Sequence, residues 1–310
     1  MLVVDPPAMR VLTNALNLYE LAERRITLVE SILKKRAPFP DMAVIYLVSP
    51  TVENMNMIIA DCNGTGTLRK KPLYGDSVFI YTLSGISNSC FDKIKSSNKL
   101  MKSIKGLVEV NVDFLAKENC VFHLDMKSCF AEMFTRSNAV ADDQITSKLV
   151  TVCAALNEYP HIRYQGDSPK CEVMANTLLT KINAFVGASP NWWYHGMPGH
   201  EARDRSTLLI IDRSEDPLTP LMHDFRYQAM VHDLLSIDND CITVDESDGG
   251  KKEVLLNMED DIWVELKAKH IAEVSEILGN RLKDFLQNNS AHSFQKKSNM
   301  SAAEMVRYNS

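Results

Sequence analysis

The segment at residues 207–239, TLLIIDRSEDPLTPLMHDFRYQAMVHDLLSIDN, constrains the fold more than any other stretch of the chain. Its opening apolar run at residues 208–211 is short and rich in β-branched side chains, which predicts a parallel strand that is buried on both faces. Asp212 and Arg213 follow at the carboxyl end of that strand, where open α/β sheets commonly place ligand or interdomain contacts. The segment therefore predicts an α/β sheet with a charged pair at one edge.

A helix is predicted after this strand. Pro217 and Pro220 require an extended turn first, because proline fixes φ and disfavours a helical conformation in the residue before it. We expect the helix to begin near Leu221, where apolar residues start to recur in steps of three or four. The residues on its apolar face are Leu221, Phe225, Ala229, His232 and Leu235.

Strand-like and helix-like segments alternate in the first third of the chain. Strands are predicted at residues 2–5, 43–48, 78–83 and 107–115, and a basic amphipathic helix at 90–105. This alternation predicts a parallel, doubly wound sheet with right-handed crossovers. Since the chain enters its first strand almost at once, we also expect an open sheet edge beside that strand.

The rest of the chain predicts two further regions. Helices are expected at residues 145–158 and 172–185, before the strand at 208–211, and a long amphipathic helix at 263–285. The fold class is α/β, with three predicted domains. They are a doubly wound first domain at 1–111, an incomplete second α/β domain at 112–222, and the start of a mainly helical third domain at 223–310.

Composition excludes several functional classes. The 310-residue chain has a net charge of -6, which gives no electrostatic footprint for nucleic acid or an anionic membrane surface. Its seven cysteines are scattered without a CxxC pair or metal-ligand spacing, as is typical of reduced cytosolic thiols. No apolar run approaches the roughly 18 to 20 residues of a membrane span, and no signal peptide opens the chain. We therefore expect a cytoplasmic protein that meets membranes only through a protein partner.

An enzymatic alternative depends on Asp212 and Asp216 near two histidines, His223 and His232. Carboxylates at a strand end with nearby histidines could bind a metal ion, as in a metal-dependent phosphoesterase. However, the histidines are nine residues apart, which places them on opposite faces of the predicted helix. The preferred interpretation is structural, with Asp212 and Arg213 paired to neighbouring backbone and side-chain groups.

Motifs for nucleotide binding and serine hydrolysis are absent from the sequence. No GxGxxG follows a predicted strand, and neither GxxxxGK[ST] nor GxSxG occurs. A doubly wound sheet without a phosphate loop is a scaffold rather than a sign of catalysis. The sequence therefore predicts a recognition surface, with no catalytic residues, cofactor or metal.

The segment IIDRSEDPLTPLMHDFRYQAMVHDLL resembles the signature of the SM (Sec-one/Munc-eighteen) family, cytosolic syntaxin-binding proteins that control SNARE-driven vesicle fusion. Three more stretches agree with the family pattern and fall in its order: LVVDPPAMRVL at residues 2–12, LNEYPHIRYQG at 156–166 and DDIWVELKAKHIAEVSEIL at 260–278. The resemblance covers the whole chain but about half of a typical member. It implies that the family's opening strand and helix, and all that follows Ser310, are missing.

The resemblance also implies a function and partners. A monomer would bind a syntaxin-type SNARE and the assembled SNARE complex, and would regulate vesicle docking and exocytosis without catalysis. It would reach the plasma membrane or another target membrane only through syntaxin.

Two syntaxin sites are implied by the resemblance. Asp5, Arg10 and Glu30 match positions in the cleft that grips the closed syntaxin bundle, although an internal ion pair between Asp5 and Arg10 is an equal alternative. Phe91, Leu107 and Glu109 match the pocket for the syntaxin N-terminal peptide. An apolar slot with one carboxylate would suit a peptide with an arginine and a leucine or aromatic anchor.

These pocket residues have alternative interpretations. Phe91 and Leu107 also fit the core faces of their helix and strand. Nearby lysines are interpreted as a solvated helix face, with an acidic partner surface as the alternative. These lysines are Lys93, Lys95, Lys99, Lys102 and Lys105. The residues assigned to the structural signature are Asp212, Arg213, Asp216 and Pro217.

Overall fold

A parallel sheet of five strands organises the first part of the computed structural model, as the alternating pattern predicts. The structure describes residues 1–16, 18–64, 72–135, 139–189, 192, 204–238, 240–245, 250–258 and 260–288. The strand order in the sheet is β2-β1-β3-β4-β5, and every neighbouring pair is parallel. The strands are β1 (Leu2–Val4), β2 (Val29–Ser31), β3 (Val44–Val48), β4 (Val78–Thr82) and β5 (Ile104–Glu109).

Five helices connect these strands, and their ends follow local chemistry. They are α1 (Pro6–Ala15), α2 (Leu18–Glu23), α3 (Val52–Asn63), α4 (Asn88–Ser96) and α5 (Asn98–Ser103). The Asp5 side chain caps α1, whose first two residues are prolines that lack the N–H groups an N-terminus leaves unpaired. Helix α3 ends at Gly64, which has φ of 67° in the left-handed region that glycine adopts without strain.

Apolar residues fill both faces of this sheet. Val3, Tyr46 and Ile80 lie in the cluster that packs under α3 and α4, while Val4 and Ala8 lie in the cluster under α1. All five side chains are at most 1% exposed. The sheet is thus a rigid support whose strand ends and helices hold the candidate sites.

Three expectations for this region are wrong. The edge beside β1 is not open, because β2 pairs with it on the side opposite β3. The single helix expected at residues 90–105 is two helices and the start of β5. Ser97 divides them: its N–H closes α4 on Ile94, and its side chain caps α5 by accepting from the N–H of Leu100. The strand expected at residues 107–115 ends at Glu109.

A smaller α/β arrangement follows. The antiparallel hairpin of β6 (Leu115–Glu118) and β7 (Val121–His123) precedes a parallel pair, β8 (His161–Tyr164) and β9 (Thr207–Ile210). The helices are α6 (Cys129–Thr135), α7 (Ala139–Ala155) and α8 (Pro169–Ala188). The predicted helices at 145–158 and 172–185 are confirmed as α7 and α8.

Strand β9 confirms the predicted strand at 208–211, but its burial was predicted wrongly. Leu208 and Ile210 pack on a core formed by α7 and α8, whereas Leu209 is 58% exposed and Ile211, just after the strand, is 57% exposed. Leu209 and Ile211 are exposed because α7 and α8 cover only the other face of β9 in the part of the chain that the structure describes. In the described sheet, β9 pairs with β8 alone.

The chain divides into two compact units, Met1–Asp212 and Arg213–Ser310. The second unit begins with two 3-10 turns, Arg213–Glu215 and Thr219–Leu221. An antiparallel sheet and three helices follow. They are α9 (Tyr227–Leu234), β10 (Ile237–Asp238), β11 (Cys241–Asp245), β12 (Lys251–Leu255), α10 (Asp261–Leu266) and α11 (Ile271–Asn288).

Several expectations for the second unit are wrong. The helix expected near Leu221 begins at Tyr227, because an extended stretch joins it to the 3-10 turns and Arg226 forms a β-bridge with His270. The long helix expected at 263–285 is interrupted between α10 and α11 for the same reason. Strands β10 to β12 also interrupt the region expected to be mainly helical. The division into three domains at residues 111 and 222 stays a prediction.

Among the residues that the structure describes, no helix has both the length and the apolar character needed to cross a membrane.

Candidate functional site

Phe91, Leu107 and Glu109, which were assigned to a peptide pocket, line a single open pocket of about 530 Å³ in the first unit. Helix α4 forms one wall and β5 the other. The lining residues are Ile86, Asn88, Phe91, Leu107, Val108, Glu109, Asn111 and Ser189. The structure therefore brings together three residues that lie up to 18 positions apart in the sequence.

Phe91 faces the pocket because of its position on α4. Cys90 and Ile94 are each 1% exposed and fix which side of the helix is buried. Phe91 lies outside that stripe, and it is 40% exposed. The alternative that Phe91 is a core residue is therefore wrong. Leu107 does pack partly on the core, so it contributes to both the core and the pocket.

Glu109 is held in place at one end of the pocket. It is the last residue of β5, and its Oε1 accepts a hydrogen bond of 2.8 Å from the backbone N–H of Ile86, just before α4. A carboxylate has two oxygens with about four acceptor sites, so this bond orients the group without using its full capacity. An exposed, oriented carboxylate beside an apolar wall suits an arginine or lysine side chain.

Lys95 contacts the pocket residue Phe91, whereas the sequence indicated a solvated helix face, with an acidic partner surface as the alternative. Its Nζ lies 4.3 Å from the centroid of the Phe91 ring, close enough for a cation–π contact. The signal was present in the sequence, since Phe91 and Lys95 are four residues apart and thus neighbours on a helix. The five lysines of the basic run are all exposed, as predicted.

The Asp5 side chain is buried, and its hydrogen bonds give it a structural role. It is 4% exposed, and its carboxylate accepts hydrogen bonds from Ala8 N (2.9 Å), Ser49 N (2.9 Å) and Asn54 Nδ2 (2.8 Å). The proposed ion pair between Asp5 and Arg10 does not form. The Nε of Arg10 instead lies 2.5 Å from Oδ2 of Asp125, which follows β7.

Glu30 lies away from these two residues. It pairs with Val3 in the sheet, and its side chain therefore lies on the face of Val3 and Tyr74, whereas Arg10 is on α1, which packs on the other face. Its Oε2 is buried and has no hydrogen-bond partner among the residues that the structure describes. The structure thus does not bring the three cleft residues together, and their contact with syntaxin stays a prediction.

The signature residues have structural roles at the end of β9 and in the turn that follows it. They are Asp212, Arg213, Asp216 and Pro217. Ser168, which caps α8, donates to Oδ2 of Asp212 at 3.1 Å, and Arg213 donates to the backbone carbonyl of Asp216 at 2.6 Å. The Asp216 carboxylate accepts from the N–H groups of Leu218 and Thr219. Hydrogen bonds from Thr219, first from its side chain and then from its N–H, lower the pKa of Asp216. Pro217 is exposed within this turn.

The metal-site alternative has no support in this geometry. Within the described ranges, no group of three His, Cys, Asp or Glu side chains is arranged to hold a metal ion. The carboxylates of Asp212 and Asp216 have the separate structural partners described above. His223 bonds through Nδ1 to Asp233 at 3.0 Å on the surface.

Comparison with known proteins gives a consistent result. A model described as the Sec1 family matches residues 1–308. The protein transport protein sec1 of Dictyostelium discoideum is 33% identical over 93% of this chain and 47% of its own length. The SNARE-interacting protein KEULE of Arabidopsis thaliana is 30% identical over 96% of this chain and 46% of its own length.

A solved structure is also similar. The Unc18–syntaxin 1 complex from Monosiga brevicollis contains a chain that is 28% identical, with a TM-score of 0.78 over 96% of this chain and 50% of that chain. This chain therefore spans about half the length of the curated relatives and the solved structure that it matches.

Proposed function

Because the chain belongs to the Sec1 family, we propose that it binds a syntaxin-type SNARE and thereby regulates vesicle docking and membrane fusion. The names of its relatives support this proposal. KEULE is named as SNARE-interacting, and the Unc18 structure is a complex with syntaxin 1. The role is one of recognition rather than catalysis, and it needs no cofactor.

The observation that carries the proposal is the pocket between α4 and β5. Phe91 and Leu107 supply an apolar wall, and Glu109 supplies one oriented carboxylate. An extended peptide with a cationic side chain and an apolar anchor fits this chemistry, because the anchor covers exposed aromatic surface while the cation meets the carboxylate. The syntaxin N-terminal peptide is the proposed occupant.

Recruitment to a target membrane follows from the same contact. A monomer that binds syntaxin would be concentrated on the plasma membrane or another target membrane. Arg10 and Glu30 are proposed to contact the helical bundle of syntaxin at two separate positions, since they lie on opposite faces of the sheet. Asp5 supports that contact indirectly, since it holds the turn at the end of β1.

The test is a titration of a fluorescent syntaxin N-terminal peptide into the whole chain and into Phe91→Ala. We expect the dissociation constant to rise about tenfold or more, since full burial of a phenylalanine stabilises by about 1.5–3 kcal/mol. Phe130→Ala is the matched control, because Phe130 is 76% exposed on α6. Equal affinity of Phe91→Ala and the unmodified chain would exclude this pocket as the peptide site.

A further inference from the structure

Every residue from Arg213 to Arg226 is exposed, in the segment that begins the second unit. The regular structure in this segment consists of two 3-10 turns of three residues each, and neither contains a buried residue. Short turns without buried side chains open at a small cost in free energy, because few apolar contacts are broken. The segment is therefore accessible to an enzyme that must bind it in an extended conformation.

Thr219 carries a hydroxyl group within this exposed segment and directly precedes Pro220. A hydroxyl residue before proline is the pattern that proline-directed protein kinases recognise, since they accept a residue without a backbone N–H at that position. Three serines of the chain also precede proline, namely Ser49, Ser168 and Ser189. Exposure in the folded chain decides which of these four residues a kinase can reach.

The three serines are less accessible than Thr219. Ser168 is 8% exposed, and its hydroxyl is bonded within the cap of α8. Ser49 is half-buried at the end of β3, where its N–H donates to the Asp5 carboxylate. Ser189 is half-buried directly after α8. Among the four candidate hydroxyl residues, Thr219 alone is exposed.

Asp216 holds the turn that contains Thr219. Its Oδ1 accepts hydrogen bonds from the N–H of Leu218 at 3.2 Å and from that of Thr219 at 3.0 Å. The Thr219 hydroxyl donates to the same carboxylate, and this bond, followed by that from the Thr219 N–H, lowers the pKa of Asp216. Nη1 of Arg213 donates to the Asp216 carbonyl at 2.6 Å. The hydroxyl that a kinase would modify is thus one of the donors that keep the turn closed.

We propose that Thr219 is a phosphorylation site for a proline-directed kinase, and that its phosphorylation opens this turn. In the reaction, Oγ1 of Thr219 attacks the γ-phosphorus of ATP and forms the new P–O bond. The bond from that phosphorus to the bridging oxygen breaks, ADP leaves, and the hydroxyl proton passes to a carboxylate base of the kinase. The phosphothreonine no longer donates to Asp216 and carries a charge of about -1.5 to -2 at pH 7. Repulsion between the phosphate and the Asp216 carboxylate then favours the open turn.

The first test is incubation of the folded chain with ATP and a purified proline-directed kinase. Peptide mass spectrometry should find phosphate on Thr219 before it appears on any of the three serines. Thr219→Val should abolish this modification, because the variant has no hydroxyl group at that position. Thr219→Ser keeps the hydroxyl and should still be phosphorylated.

Hydrogen exchange measures the opening of the turn. The N–H groups of Leu218 and Thr219 should exchange about two- to tenfold faster in the phosphorylated chain, the factor expected for the loss of about one hydrogen bond. Thr219→Glu and Thr219→Gln form a matched pair, since both lack the hydroxyl and they differ in charge. The same two N–H groups should exchange faster in Thr219→Glu than in Thr219→Gln.

Three results would overturn parts of the proposal. If a kinase that is active on a control peptide leaves Thr219 unmodified, or modifies Ser168 first, the assignment of the site is wrong. Unchanged exchange at Leu218 and Thr219 after complete phosphorylation would overturn the opening of the turn. Equal exchange in Thr219→Glu and Thr219→Gln would overturn the role of charge repulsion. None of these results depends on the proposed syntaxin contact, because Thr219 does not line the pocket between α4 and β5.

Discussion

Arg36 and Asp61 form a buried, two-pronged ion pair in the first unit. Nη1 of Arg36 lies 2.7 Å from Oδ2 of Asp61, and Nη2 lies 3.1 Å from Oδ1. The Tyr46 hydroxyl donates to the same carboxylate at 2.8 Å. Burial, with the Asp61 carboxylate next in effect, raises the pKa of Tyr46, so the hydroxyl stays protonated and continues to donate. The pair fixes the loop after β2 to helix α3.

Removal of one partner of this pair should destabilise the chain strongly. Arg36→Met leaves the Asp61 charge buried without its guanidinium, and we expect the free energy of unfolding to fall by about 3–5 kcal/mol. Urea titration followed by circular dichroism measures this change. Arg24→Met, at an exposed position on the same unit, is the control and should change stability by less than about 0.5 kcal/mol. A loss in Arg36→Met no larger than in the control would contradict the structural role of the pair.

Asp5→Ala should lower stability by about 2–4 kcal/mol. The change removes the cap of α1 and leaves the half-buried Ser49 N–H without its acceptor. It also removes one of the two acceptors of the buried Asn54 amide, which keeps the carbonyl of Ser49. Asp41→Ala, which changes an exposed aspartate, should melt at the temperature of the unmodified chain. Thermal unfolding of both variants tests this, and normal melting of Asp5→Ala with lost syntaxin binding would instead place Asp5 in the interface.

Ile211→Lys should raise the soluble, monomeric fraction of the chain. Ile211 is 57% exposed beside β9, an apolar strand whose exposed face and edge favour association between copies. Leu208→Lys changes a residue of the same strand that packs on the core, and it should lower the melting temperature instead. Size-exclusion chromatography and thermal unfolding separate the two effects. Identical behaviour of both variants would show that burial on the two faces of β9 does not differ as described.

Cys62 and Cys153 should alkylate slowly in the folded chain. Burial raises the pKa of each thiol to about 11, so about one part in a thousand is thiolate at pH 8. Cys120 is exposed and should be labelled first. Mass spectrometry after brief treatment with iodoacetamide measures the order, and unfolding in urea should remove the difference. Early labelling of Cys62 or Cys153 in the folded chain would contradict their burial.

Local sequence patterns predicted the strands and helices that depend on neighbouring residues. The apolar runs of β3 and β4 indicated the alternating α/β order. The lysines of α4 and α5 were predicted to be exposed, and they are. Similarity to a known family assigned Phe91, Leu107 and Glu109 to one peptide site before any geometry was known. In the structure these three residues line one pocket, and its role as the peptide site stays a prediction.

Tertiary structure decided the features that depend on partners distant in the sequence. Strand β2 has three half-buried residues and no strong pattern, so its pairing with β1 becomes visible only in the sheet. The Asp5 carboxylate accepts hydrogen bonds from Ser49 and Asn54, which lie 44 and 49 residues further along the chain. The delayed start of α9 depends on the bridge between Arg226 and His270.

The physical reason is the range over which each signal acts. Side-chain period and helix caps operate over three to eight residues, so the sequence by itself determined the α/β class and the exposure of the lysines on α4 and α5. Buried polar groups must find hydrogen-bond partners wherever the folded chain supplies them, and those partners are not fixed by any local pattern. Only the tertiary structure therefore decided that Arg10 pairs with Asp125, that Glu30 lies on the opposite face of the sheet, and that Glu109 accepts a hydrogen bond from the N–H of Ile86.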